Sequence, residues 1–161
     1  MPVAGIGVDI VEIDRIRTAL ERTPRFKERV FTAEERAYCE GRPNPYASYA
    51  GCFAAREAVL KALGTGFGGG VGYADVSVGH DAKGRPVAVL AGRALELACE
   101  QGVTDVYLSI SHTHGVAVAN AVAATPESQP RREERVDEKA LIAAQFKEAR
   151  SLLDELDRKG E

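Results

Sequence analysis

Two carboxylates, a lysine and a pair of histidines carry most of the chemical potential of this chain. Asp9 lies within an apolar run, Gly7 to Val11, where a carboxylate is expensive unless it is ion-paired, hydrogen-bonded or bound to a metal. Capping the helix that follows is the other use of an aspartate at such a place. Glu57 stands in an alanine-rich stretch with Lys61 four residues on, the spacing of an ordinary helix ion pair. Arg56 adds a second cation. One acid and two cations on a helix otherwise made of alanine and large apolar side chains mark a candidate site.

Gly64 to Gly72 is glycine-rich and can cradle phosphate through backbone N–H groups. No Gly-Lys-Ser/Thr follows, so it is not a Walker loop, and a flexible connection has the same composition. Ser111, His112, Thr113 and His114 interrupt two apolar runs and offer donors to an anion, although a polar hairpin turn reads alike. His80, beside a predicted turn, carries no signal. Neither zinc-type His/Cys spacing nor a Gly-x-Ser-x-Gly elbow is present.

The elements that must hold these residues follow from pattern. Val3 to Val11 reads as a strand, and Glu12–Leu20 and Ala33–Cys39 as helices separated by a turn around Pro24. Ala47–Leu63 is the best helix: alanine- and leucine-rich, free of proline, stopped at Gly64. Val76–Val78 and Val87–Leu90 are strands around a Lys83-Gly84 turn, and Ala91–Gln101 is a helix. Val103–Ile110 and Gly115–Ala123 are predicted to pair as a hairpin across the histidine turn. Strands and helices mix without a βαβ rhythm, which predicts α+β rather than a doubly wound sheet.

The chain has 161 residues, 45% of them hydrophobic and 28% charged, with a net charge of −3. That excludes a disordered polymer, and no apolar run reaches the ~20 residues of a membrane span. The first residues lack a basic leader and include acids, so no secretory signal is expected. Cys39, Cys52 and Cys99 are odd in number and free of any Cys-x-x-Cys pattern, which predicts reduced thiols in a cytoplasmic protein rather than disulfides.

Composition changes after Ala124. Residues 125–136 have linker composition, and 137–161 are predicted to be a helical extension beginning near Asp137 and ending before Gly160. Its apolar stripe is Ile142, Phe146, Ala149, Leu153 and Leu156, widened by Leu141 and Leu152. Charge is unevenly spread as well. Between Arg15 and Arg29 lie six basic residues and two acids, a local +4 around Phe26, suited either to an acidic partner or to a solvated helix.

Four segments in this order and spacing are more specific than any piece: GIGVDIVEIDRI at 5–16, FTAEE at 31–35, FAAREAVLKALGTG at 53–66 and LSISHT at 108–113. Together they resemble the holo-acyl-carrier-protein synthase family, the small 4′-phosphopantetheinyl transferases, over residues 3–123. The resemblance implies a compact α+β fold with a small sheet packed on helices, and a transferase domain at 1–124. It implies transfer of the 4′-phosphopantetheine arm of coenzyme A to a serine of apo acyl carrier protein, with Mg²⁺ required.

By the same resemblance Asp9 and Glu57 are metal ligands and catalytic, and Lys61 faces phosphate and is catalytic. Gly64, Thr65, Gly66, His112 and Thr113 are nucleotide-side residues. Arg15, Arg22, Arg25, Phe26 and Arg29 form the docking segment for an acidic carrier. The proton acceptor, Glu57 or a metal-bound water, is left open. A homotrimer with sites between subunits is implied, with no nucleic-acid or membrane partner. Two departures stand out: Arg56 where lysine is usual, and Cys52 where a basic residue is common.

Overall fold

The structure, a computed structural model, describes residues 3–66, 68–128 and 138–159. It divides into two compact units, Met1–Gln129 and Pro130–Glu161. In the first, five strands form one antiparallel sheet: β1 (Val3–Glu12), β2 (Val76–His80), β3 (Pro86–Leu90), β4 (Asp105–His112) and β5 (Val116–Ala124). Their order across the sheet is β1-β5-β4-β3-β2. The helices are α1 (Ile13–Arg22), α2 (Phe26–Val30), α3 (Ala33–Glu40), α4 (Pro45–Ala62) and α5 (Gly92–Glu100). The expected α+β class and the β4–β5 hairpin across the histidine turn are both present.

Helix α4 lies against β1 and β5, and small residues let it come close. Ala117, Ala119, Ala121 and Ala123 of β5 are fully buried, as are Ala50, Ala54, Ala55 and Ala58 of α4. Gly5 and Gly7 go further. A Cβ on Gly7 would stand 1.8 Å from the Ala58 carbonyl oxygen, and one on Gly5 1.9 Å from that of Ala62. Glycine in β1 is therefore a condition of this packing, since any side chain would push the helix off the strand.

Helix α4 begins properly, with Asn44 accepting from Ala47 N–H and Pro45 at the first position. It ends in a Schellman arrangement: Thr65 N–H donates to Leu60 O and Gly64 N–H to Lys61 O, with Gly64 at φ +73°. Helix α3 carries a reciprocal capping box between Thr32 and Glu35.

One element departs from expectation. The region read as a turn around Pro24 contains the short helix α2. Five residues have little helical preference of their own. Tertiary packing fixes them: the Phe26 ring lies 6.0 Å from Phe31 and 6.4 Å from Phe53.

Among the described residues the second unit is the helix α6 (Glu138–Lys159), on which Leu141, Ile142, Phe146 and Leu152 are exposed. Most of the predicted linker, Asp137, Gly160 and the side chains of Leu153 and Leu156 lie outside the described residues.

Candidate functional site

Strand β1 and helix α4 bring the two carboxylates together. Asp9 is centred in β1 opposite Ala119 and, like Gly5 and Gly7, sits at an odd-numbered position, on the side that α4 covers. It does not cap α1: the residue at that cap is Glu12, which makes no side-chain cap bond. Lys61 Nζ instead donates to Asp9 Oδ1 at 2.8 Å and to the Val8 carbonyl at 3.0 Å. Lys61 therefore reaches across to the strand, and no direct ion pair with Glu57 forms.

Glu57 lies one turn earlier on α4. Asp9, Arg15, Phe26, Phe53 and Glu57 line one groove of about 390 Å³ between β1, α1, α2 and α4. Burial, then the Asp9 charge, raise the Glu57 carboxyl above the usual carboxylate range, while Lys61 opposes the shift. Two carboxylates in mutual repulsion beside a groove invite a cation. Among the described residues no third His, Cys, Asp or Glu joins them to complete a cage. Magnesium suits such a set, because it takes one or two carboxylates and fills its remaining positions with water and phosphate oxygens.

The basic segment divides by how its members are used. Arg17 pairs with Asp14 and stacks over Tyr46, and Lys27 pairs with Glu40, so both are engaged internally. Among the described residues Arg15, Arg22, Arg25 and Arg29 form no ion pair and are exposed. Arg15 and Phe26 also line the groove that holds Asp9 and Glu57.

His112 falls elsewhere. It ends β4 and borders a second cleft of about 470 Å³, together with Tyr38, Arg42, Cys52 and His80. The His80 ring stacks on Tyr38 at 3.7 Å, and the Arg42 guanidinium lies 5.5 Å from the centre of the Tyr38 ring. Sequence reasoning missed His80, Tyr38 and Arg42, and no local signal marks them. Thr113 shapes the hairpin turn, its Oγ1 accepting from Gly115 and Val116 N–H. Gly64, Thr65 and Gly66 follow α4 just beyond Lys61 and border neither groove.

Arg56, read from sequence as a site cation, belongs to the core instead. It is 1% exposed and pairs with Glu35, also 1% exposed. Its Nε donates to Tyr73 O, while Glu35 accepts from Val78 N–H and Thr32 N–H. Every polar atom of the pair is satisfied, as burial of two charges demands. The Thr-x-x-Glu capping pattern at Thr32 was the available clue to Glu35, although its buried partner lies 21 residues away.

Known proteins resemble this chain over most of its length. A family model described as the 4′-phosphopantetheinyl transferase superfamily matches residues 5–123. The holo-[acyl-carrier-protein] synthase of Alkaliphilus metalliredigens is 49% identical over 122 residues, covering 75% of this chain and 98% of that protein. The enzyme of the same name from Caldanaerobacter subterraneus is 42% identical over 123 residues, covering 76% and 96%. Among solved structures, the Neisseria meningitidis holo-[acyl-carrier-protein] synthase is similar with a TM-score of 0.68 and 38% identity, over 76% of this chain and 99% of that one. The Helicobacter pylori enzyme in complex with coenzyme A gives 0.65 and 32%, over 74% and 99%.

Proposed function

The chain belongs to the 4′-phosphopantetheinyl transferase superfamily, and on that footing we propose that it acts as a Mg²⁺-dependent holo-[acyl-carrier-protein] synthase. The observation that carries the reading is the meeting of Asp9 and Glu57 on one groove, with Lys61 bonded to Asp9. The substrates are coenzyme A and an apo acyl carrier protein. The carrier's serine oxygen bonds to the β-phosphorus, the phosphoanhydride breaks, and adenosine 3′,5′-bisphosphate leaves with the bonding electrons.

Asp9 and Glu57 would hold Mg²⁺, which when bound supplies positive charge to the diphosphate. Lys61, half exposed, is long enough to turn from Asp9 to a phosphate oxygen. The serine proton would pass to Glu57 or to a water held at the metal, both within this groove. Gly64, Thr65, Gly66, His112 and Thr113 are read as the nucleotide side, with the cleft at His112 taking the 3′-phosphate end. Arg15, Arg22, Arg25 and Arg29 present an exposed cationic face to an acidic carrier, and half-buried Phe26 lines the groove with Arg15 beside the carboxylates.

A homotrimer fits the sheet. Its face away from α4 is apolar and open: Ile6 is 70% and Ile10 64% exposed, and register runs from Ile6 through Val122 and Tyr107 to Val87. A site shared between copies would also unite the Asp9–Glu57 groove of one with the His112 cleft of another. We read residues 1–124 as the transferase body, 125–136 as linker and 137–161 as an extension. Among the described residues no helix is long and apolar enough to cross a membrane. A cytoplasmic setting, with neither nucleic acid nor membrane as partner, completes the reading.

The test uses Asp9→Ala and Glu57→Ala. Each is expected to abolish transfer to apo carrier, read by mass, while circular dichroism stays unchanged. Retained transfer in either variant contradicts the assignment.

A further inference from the structure

Cys39 and Cys52 carry no motif in the sequence, yet the fold sets them side by side. Cys39 is in the last turn of α3 and Cys52 near the middle of α4, with their Sγ atoms 3.8 Å apart. Cys39 is 0% and Cys52 3% exposed, but Cys52 borders the cleft that also holds Tyr38 and His112. A disulfide needs sulfurs about 2.05 Å apart, so about 1.8 Å of approach separates this pair from a bond. The third thiol, Cys99, is exposed on α5.

We propose that Cys39 and Cys52 are an oxidation site, converted to an internal disulfide by small hydroperoxides admitted through the second cleft. Cys52 reacts first because it borders the cleft. Its thiolate bonds to one peroxide oxygen, the O–O bond breaks, and water (from hydrogen peroxide) or an alcohol leaves, giving a sulfenic acid. The Cys39 sulfur then displaces the sulfenic oxygen as water. Two thiols lose two electrons and two protons, and one peroxide is consumed. Cys39 is the sulfur positioned to trap the intermediate, which diverts it from further oxidation.

The reaction is slow. The hydrogen bond with Cys39, then burial, push the Cys52 thiol far above its ordinary range, so thiolate is scarce at neutral pH. The pair therefore responds to sustained oxidant rather than to brief exposure. The new bond would brace α3 against α4 along one wall of the cleft. Tyr38, adjacent to Cys39 and stacked on His80, sits on that wall. The functional consequence rests on the reading that this cleft takes the coenzyme A nucleotide: oxidation weakens coenzyme A binding by about tenfold, through displacement of the wall.

The test is mass analysis of the full chain after prolonged incubation with hydrogen peroxide, denaturation and thiol alkylation. Trypsin does not cut Arg42–Pro43, so both cysteines fall in the single peptide 37–56. That peptide is expected unalkylated and lighter by two hydrogens, reverting with dithiothreitol. In Cys52→Ala, Cys39 is expected to stay fully alkylatable. Wild-type peptide 37–56 alkylated at both cysteines, under conditions that oxidise Cys99, overturns the proposal. Calorimetric titration with coenzyme A separates the two readings. A disulfide that forms in a protein with no coenzyme A affinity to lose leaves the oxidation site standing and removes the nucleotide assignment. Intact thiols in a protein that binds coenzyme A do the reverse.

Discussion

Lys61 Nζ lies 2.8 Å from Asp9 Oδ1, bridging helix α4 and strand β1 across 52 residues of sequence. The same ammonium bonds the Val8 carbonyl, so the half-exposed lysine meets the strand at two points. Helix, strand and carboxylates thus form one unit whose geometry depends on how closely α4 approaches β1.

That dependence makes Gly7 decisive. Gly7→Ala places a methyl 1.8 Å from the Ala58 carbonyl oxygen, which the backbone can relieve only by moving the helix away. We expect a loss of about 1–3 kcal/mol or more in urea unfolding, and a fall in transfer rate beyond what stability explains. Wild-type stability and rate in this variant would show that the close approach is not required.

The buried pair makes a stability prediction with an internal control. Arg56→Ala leaves the Glu35 carboxylate buried without its partner and is expected to destabilise by about 3–5 kcal/mol. Replacing both residues with apolar side chains of similar size should recover much of that loss. Guanidinium unfolding of the single and double variants measures both. Equal destabilisation by the two would mean that packing, not charge, dominates there.

Carrier docking is separable from catalysis. Arg15→Glu with Arg25→Glu reverses two exposed, unpaired cations and should raise the KM for carrier by about tenfold or more, with a weaker salt dependence than wild type. Coenzyme A affinity should hold. A fall in coenzyme A affinity with carrier KM unchanged would place these arginines on the nucleotide side.

His80 supplies a pH dependence. Burial, then the Arg42 charge, lower its pKa, with Asp81 and Glu35 opposing. Below the ordinary histidine value of about 6.5, the unfolded chain therefore binds more protons at this position than the folded one. Stability from this group falls as pH drops through that window. His80→Phe keeps a ring against Tyr38 and removes the titration, so its urea midpoint should fall less than wild type between about pH 7.5 and 5.5. Parallel pH profiles would contradict this.

Much of the scaffold was legible because it is local. The composition of α4, its glycine stop, the β4–β5 hairpin and the carboxylate positions follow from short windows of sequence. What escaped was long-range. Lys61 has Glu57 four residues away, the obvious helical partner, yet the approach permitted by Gly5 and Gly7 gives it Asp9 instead. Arg56 looked like a site cation because Glu35 is 21 residues distant and reveals itself locally only as a capping residue. Helix α2 was hidden because aromatic packing on Phe31 and Phe53, rather than propensity, fixes it. Cys39 and Cys52 became neighbours only when α3 folded onto α4.

The central claim is Mg²⁺-dependent phosphopantetheinyl transfer at Asp9 and Glu57. The direct measurement is the intact mass of an apo acyl carrier protein after incubation with this protein and coenzyme A, with Mg²⁺ or with excess chelator, across a panel of carriers. A carrier heavier by one phosphopantetheine with Mg²⁺, and unchanged with chelator, is the predicted result. An unchanged mass for every carrier with Mg²⁺ present, from folded protein with both carboxylates intact, would contradict it.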